Sequence, residues 1–205
     1  MPRDGKPTRD KILAESKALV FEYGFSGTSI DQILERTGIT KGAFFYHFKT
    51  KNALAKALID VFAEEDIHHM NLALEKTAAL REDPKVRLLQ FIQEFIDMMS
   101  GQGEPYSCLY ASYLYEPQQF DKETLDTIRD TILTWRTTMN KLITEVLEKY
   151  DTTSQVDLKS LSDHTFVIFE GAFIVSKALA GRDQTADHLT HLKNYFDILF
   201  TPKQG

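Results

Sequence analysis

The run Thr40-Lys41-Gly42-Ala43-Phe44-Phe45-Tyr46-His47-Phe48 gathers the donor chemistry of the N-terminal part of the chain. It is one short helix's worth of residues. Thr40 suits an N-cap, because its hydroxyl can accept a bond from an amide one turn on. Gly42 falls in the first turn, where a missing side chain lets the backbone approach a large partner closely. Phe44 and Phe48 are four apart and share a face. Tyr46, His47, Lys49 and Lys51 add a phenol, an imidazole and two ammonium groups. A basic, aromatic helix start suits a DNA groove: amides and Lys side chains settle on phosphates, and side chains near the start reach base edges. An ordinary exposed helix with a buried Phe pair has the same composition, so the preceding chain has to discriminate.

Thr28-Ser29-Ile30-Asp31 opens a helix with a cap and an acidic residue at the third position, close to a capping box. Ile30, Ile33 and Leu34 give this helix its apolar face. Gly38 stands where a left-handed C-terminal residue would, and Ile39 leads into the next cap, Thr40. The pattern is helix, short turn, helix, with the second helix as the reading element. Upstream, Thr8 caps a first helix to about Tyr23, with Ile12, Ser16, Leu19 and Tyr23 at 4-3-4 spacing, and Gly24 ends it. That helix braces the other two. Residues 1–7 read as a frayed arm.

Residues from about 8 to 54 resemble the N-terminal domain of TetR-family transcriptional regulators. The resemblance rests on Ile12-Leu13, Leu19-Val20, Gly24-Phe25, Thr28-Ser29, Ile33, Thr37-Gly38-Ile39, Lys41-Gly42-Ala43-Phe44, Tyr46-His47-Phe48-Lys49, Lys51 and Leu54. It implies an all-α chain of about nine helices. A three-helix helix-turn-helix DNA-binding domain at 1–50 would precede a helical-bundle effector-binding and dimerisation domain at 51–205. It implies that Thr28, Ser29, Thr40, Lys49 and Lys51 hold phosphates, that Lys41, Gly42 and Ala43 face base edges, and that Tyr46 and His47 lie at sugar-phosphate. Phe45 departs from the family pattern, where a Tyr is often found, so a phosphate-contacting hydroxyl is absent there.

Charge becomes consistent with a DNA binder once it is divided. The chain of 205 residues carries a net charge of −6. Residues 1–60 hold ten basic and seven acidic residues, whereas 61–205 hold 14 basic and 23 acidic. Such asymmetry points to a nucleic-acid end and an end that is not. The N-terminus lacks the apolar stretch of a signal peptide, and nothing approaches the roughly 18 unbroken apolar residues of a membrane span. A single cysteine makes no internal disulfide, which fits a reducing cytoplasm.

Beyond the reading element, Lys51-Asn52 starts a long helix to about Lys76. His68 and His69 lie far along it and diverge by about 100°, so they do not form a metal face. Arg81-Glu82-Asp83-Pro84 breaks the chain, and Val86 to Ser100 is the next helix. After the Gly101–Pro105 loop, Tyr106, Tyr110 and Tyr113 share a helix face. Tyrosines pair stacking area with a polar tip, the mix of a small-molecule pocket, although core packing uses the same rings. Cys108 sits near the start of that helix, where a thiol is activated, yet no Lys, Arg or His lies within four residues. Glu123 to Lys149 is a heptad-like helix carrying Trp135. Leu158 to Gly181 is the next helix, apolar nearly all round from Thr165 to Ala180, with Phe166, Phe169 and Phe173, and it carries Glu170 within that stretch and His164 beside it. The last helix spans about Ala186 to Phe200.

The candidate effector set is therefore Tyr106, Cys108, Tyr110, Tyr113, Trp135, Phe166, Phe169, Glu170 and Phe173. The resemblance implies a cytoplasmic homodimer joined through about 158–200, double-stranded palindromic operator DNA and a small-molecule effector as partners, and repression relieved by that effector. Regulation by an electrophile at Cys108 is an alternative, and a helical protein-interaction module without specific DNA binding is another. No catalytic set, phosphate loop or metal-ligand spacing is present, so no enzyme, cofactor, metal or membrane role is expected.

Overall fold

The computed structural model describes residues 5–100, 108–179 and 184–203. Nine α-helices, two short 3₁₀ turns and one two-stranded ribbon account for the regular structure of these residues. The chain forms two compact units, Met1–Glu65 with Cys108–Arg129, and Asp66–Ser107 with Asp130–Gly205. Packing thus groups the residues differently from the functional division expected at residue 50.

In the first unit, α1 (Lys6–Gly27) begins before the expected Thr8 cap. Gly5 is its N-cap, and Pro7 occupies the first turn, where a missing N–H leaves nothing unsatisfied. Gly24 breaks the helical geometry at φ 74°, ψ 168°, a conformation in which a side chain would be strained. The break leaves Phe25 buried. α2 (Ile30–Thr37) starts at Ser29, whose hydroxyl accepts from the Gln32 amide while the Gln32 side chain accepts from the Ser29 amide. The capping-box partner is therefore Gln32, three residues after the cap, and not Asp31. Gly38 closes α2 in the left-handed region at φ 65°. α3 (Lys41–His47) is capped by Thr40, and α4 (Lys51–Lys76) follows. Ile12, Ile33, Phe44, Leu54 and Ile59 are fully buried and fix the three short helices and the start of α4.

α6 (Leu109–Leu114) and the start of α7 (Lys122–Lys149) belong to this same unit. Tyr113 explains much of that membership. Its ring stacks on Phe120 at 4.1 Å, Phe25 packs against both, and its hydroxyl donates to the Ala55 carbonyl at 3.2 Å. Burial pushes the Tyr113 phenol far above its ordinary pKa, so it stays a donor.

The second unit contains the remainder of α4 and α7 with α5 (Pro84–Met99), α8 (Leu158–Ala178) and α9 (Thr185–Leu199). Asp83 caps α5 by accepting from the Lys85 and Val86 amides, with Pro84 in its first turn. Leu88, Phe91 and Ile92 of α5 meet Met139, Ile143 and Val146 of α7 and Leu189, Phe196 and Leu199 of α9 in one core. The residues that follow α7 and α9 pair as an antiparallel ribbon, so Phe200, expected as the end of the last helix, belongs to a strand. β1 (Tyr150–Thr152) aligns with β2 (Phe200–Pro202) in the register Tyr150 to Pro202. Three-residue strands carry too little period-2 pattern to announce themselves.

Candidate nucleic-acid interface

α3 has an inner and an outer side, set by its spacing. Phe44 and Phe48 are four apart, their rings 6.1 Å apart, and both are buried. Lys41, Gly42 and Tyr46 then face outward, and Tyr46 is 74% exposed. Ala43 and His47 are half-buried beside them. The Tyr46 and His47 rings meet edge to face at 5.0 Å, and His47 packs beside Gly5 at the start of α1. Thr40 holds the helix start by accepting from the Ala43 amide at 3.2 Å. Lys49 is exposed, its ammonium resting on the Phe45 carbonyl at 3.1 Å. Phe45 packs inward along its own helix, its ring edge-on to Phe44 at 5.3 Å. Ser29 is exposed at the start of α2. The result is an exposed row of hydroxyl, ammonium and phenol groups with Gly42 among them, on a helix anchored by two rings.

Two expected phosphate contacts are placed elsewhere. Thr28 is 2% exposed, and its hydroxyl donates to the Gly24 carbonyl at 2.9 Å. It stabilises the turn that Gly24 opens. Lys51 folds back, donating to the Phe25 carbonyl at 2.6 Å with its ammonium 4.3 Å from the Phe25 ring centre. Burial lowers the Lys51 pKa, and the nearby Glu116 charge opposes that shift. Both residues hold the turn around Phe25 together. Sequence spacing puts Lys51 beside Lys49 but does not reveal that the first turn of α4 faces inward. Arg36 is likewise occupied, its Nη2 on Glu22 at 2.7 Å.

The expected effector residues divide between the units. Tyr106 lies outside the described residues. Cys108 is 8% exposed at the start of α6, and Tyr110 and Tyr113 are core residues of the first unit. Trp135, Phe166, Phe169, Glu170 and Phe173 lie in the second. There the Trp135 ring lies 5.2 Å from Phe95 and 6.2 Å from Phe169, and Phe169 lies 6.1 Å from Phe173. The Trp135 indole N–H donates to Asp66 at 3.1 Å. Phe166, Phe169, Glu170 and Phe173 are half-buried. A cleft of about 220 Å³ opens beside Phe95, lined also by His69, Leu72 and Met98. Asp66 and Phe95 were missed from the sequence. A buried indole demands an acceptor, which is the available signal, but it does not say which of many acids supplies it. Among the described residues no cluster of three or more His, Cys, Asp or Glu is placed to hold a metal, and no helix is long and apolar enough to cross a membrane.

Residues 12–58 match the family described as bacterial regulatory proteins, tetR family, and residues 84–192 match the tetracyclin repressor-like C-terminal domain. An HTH-type transcriptional regulator from the lacX 3′ region of Lactococcus lactis is 42% identical over 116 residues, 57% of this chain and 58% of that one. The chain thus spans little more than half of that relative. The HTH-type transcriptional repressor DhaR of Mycobacterium sp. (strain GP1) is 24% identical over 189 residues, covering 90% of this chain and 89% of its own. The crystal structure of a TetR transcriptional regulator from Chloroflexus aurantiacus superposes with a TM-score of 0.75 at 24% identity, over 98% of this chain and all of that one. With the second match extending over more than half of its length, the chain belongs to the TetR family of bacterial regulatory proteins.

Proposed function

We propose that this chain is a cytoplasmic, homodimeric transcriptional repressor that leaves its operator when a small molecule binds the second unit. The observation that carries the reading is the outward row on α3, held by the buried Phe44 and Phe48. In this reading 1–50 is the reading domain and 51–205 the effector and dimerisation domain. Lys41, Gly42 and Ala43 face base edges. Ser29, Thr40 and Lys49 hold phosphates, and Tyr46 and His47 lie at sugar-phosphate. Thr28 and Lys51 support them by fixing the Phe25 turn.

The second copy is proposed to pack on α8 and α9. Ile198 is 72% exposed and Leu179 67%, Val167 and Ile174 are exposed, and Gly171 has open space beside it. An apolar face on two adjacent helices favours a like face. Dimerisation supplies two reading helices, which a palindromic operator meets when they stand about 34–36 Å apart or a multiple of that. The effector is proposed to engage the aromatic row around Trp135 and the cleft beside Phe95. Its influence on DNA binding equals its differential affinity for the two conformers. The buried Cys108 thiol favours this reversible route over attack by an electrophile.

The test is fluorescence anisotropy with labelled DNA from directly upstream of the gene, against scrambled DNA of equal length, over a salt series. Preference for the upstream DNA by about a thousandfold or more is expected. Lys41→Ala should lose about 1–3 kcal/mol of that preference. Binding that ignores both sequence and Lys41 would replace the reading with that of a protein-interaction module.

A further inference from the structure

We infer that the second unit carries a separate polar ligand site, a cleft that takes a compact, multiply charged oxyanion of the phosphate or polycarboxylate class. The cleft, half open to solvent, has a volume of about 230 Å³ where the start of α5 meets the C-terminal part of α7. Its walls include four cations, Arg81, Arg87, Lys141 and Lys149, against two carboxylates, Glu145 and Glu148. The local balance is positive, although residues 61–205 hold 14 basic and 23 acidic residues. Like charges gathered in a part of the chain rich in acids repel one another, and an anion between them removes that repulsion.

The pairing of these cations is incomplete. Arg87 is only 6% exposed, and its Nη1 donates to Glu145 at 2.7 Å. Its buried Nε has no hydrogen-bond partner among the described residues. A buried guanidinium N–H without an acceptor is costly, so such groups are rarely left unmatched. Lys149 donates at 2.7 Å to the Glu82 carbonyl, a neutral acceptor, and makes no ion pair among the described residues. Arg81 and Lys141 are exposed and make no ion pair among the described residues.

Helical spacing sets where these groups leave the backbone. Lys141, Glu145 and Glu148 recur at helical spacing along one side of α7, and Arg87 stands in the first turn of α5. Glu145 orients the Arg87 guanidinium, whose planar fork matches the oxygens of a phosphate or carboxylate group. The volume is about eight times the roughly 30 Å³ share of one water, so it suits an anion of small-metabolite size. Nothing in this cleft resembles the aromatic row around Trp135, and the ligand class is correspondingly different.

The test is isothermal titration of the full chain with pyrophosphate and, separately, with citrate, each against sodium chloride of equal ionic strength. Saturable binding of one anion per chain is expected. Lys141→Glu, at an exposed position without an ion-pair partner, should weaken it by about tenfold or more. The double variant Lys41→Ala/Lys49→Ala should leave it unchanged, which separates the cleft from anion uptake by α3. Response to pyrophosphate alone assigns the phosphate class, response to citrate alone the carboxylate class, and response to both a general oxyanion site. The inference is overturned if neither probe exceeds sodium chloride, if Lys141→Glu binds as tightly as the parent, or if the α3 double variant abolishes binding.

Discussion

Each unit is built around an aromatic cluster, and the two clusters have opposite finishes. In the first, Phe25, Tyr113 and Phe120 close on one another. Tyr113 is completely buried, and its hydroxyl is matched to a backbone carbonyl. In the second, Trp135 is buried, but Phe169 and Phe173 keep part of their surface, and the indole N–H is matched to a carboxylate. A ring cluster satisfied by backbone holds fixed parts together. A cluster that leaves edges uncovered and keeps a charged acceptor can still receive a guest. Tyr110 and Tyr113 lie in the closed cluster, because a phenol satisfied inside a core has the same sequence signature as one lining a pocket.

The strongest way to break this comparison is Tyr113→Ala. It removes a fully buried, stacked ring, and urea unfolding should show a loss of about 3–5 kcal/mol. Tyr113→Phe should lose about 1 kcal/mol, the worth of the hydroxyl alone. A change below that from the alanine variant would mean that the cluster does not hold the unit together. The corresponding change in the second unit is Asp66→Ala, which strands the Trp135 indole N–H and should lose about 1–3 kcal/mol. Trp135 is the protein's single tryptophan, so its emission reports this cluster directly. An emission spectrum and a stability that both ignore Asp66 would detach the carboxylate from the proposed effector site.

The two neighbouring lysines sharpen the comparison on a smaller scale. Lys51→Ala should lose about 1–2 kcal/mol of stability, from its carbonyl bond and its ring contact. Lys49→Ala should leave stability within about 0.5 kcal/mol and flatten the salt dependence of DNA binding by about one unit. Identical behaviour of the two variants in both measurements would contradict their different placement.

Local chemistry was readable in the sequence where one residue's conformation decided it. Gly38 and Thr40 mark the α2 and α3 boundaries by their backbone needs, and the structure puts the helix ends there. The start of α2 was read only as the Thr28-Ser29 pair with Asp31 as partner, because both residues are good caps and only the fold turns Thr28 back toward Gly24 and leaves Ser29 to pair with Gln32. Contacts between distant segments were not readable. Tyr113 reaches Ala55 across 58 positions and Trp135 reaches Asp66 across 69, and nothing local encodes either pairing. The same reason hid the inward course of Lys51, whose acceptor is 26 positions away.

The ribbon formed by β1 and β2 has a consequence for amide exchange. Its register ties the end of α7 to the end of α9, and the Thr153 amide donates to the Leu199 carbonyl at 2.8 Å while the Lys203 amide donates to that of Lys149. These two protons are therefore released together, whichever helix end frays. Opening either partner strand exposes both, so two stretches far apart in the chain should take up deuterium as a single unit, with one opening free energy.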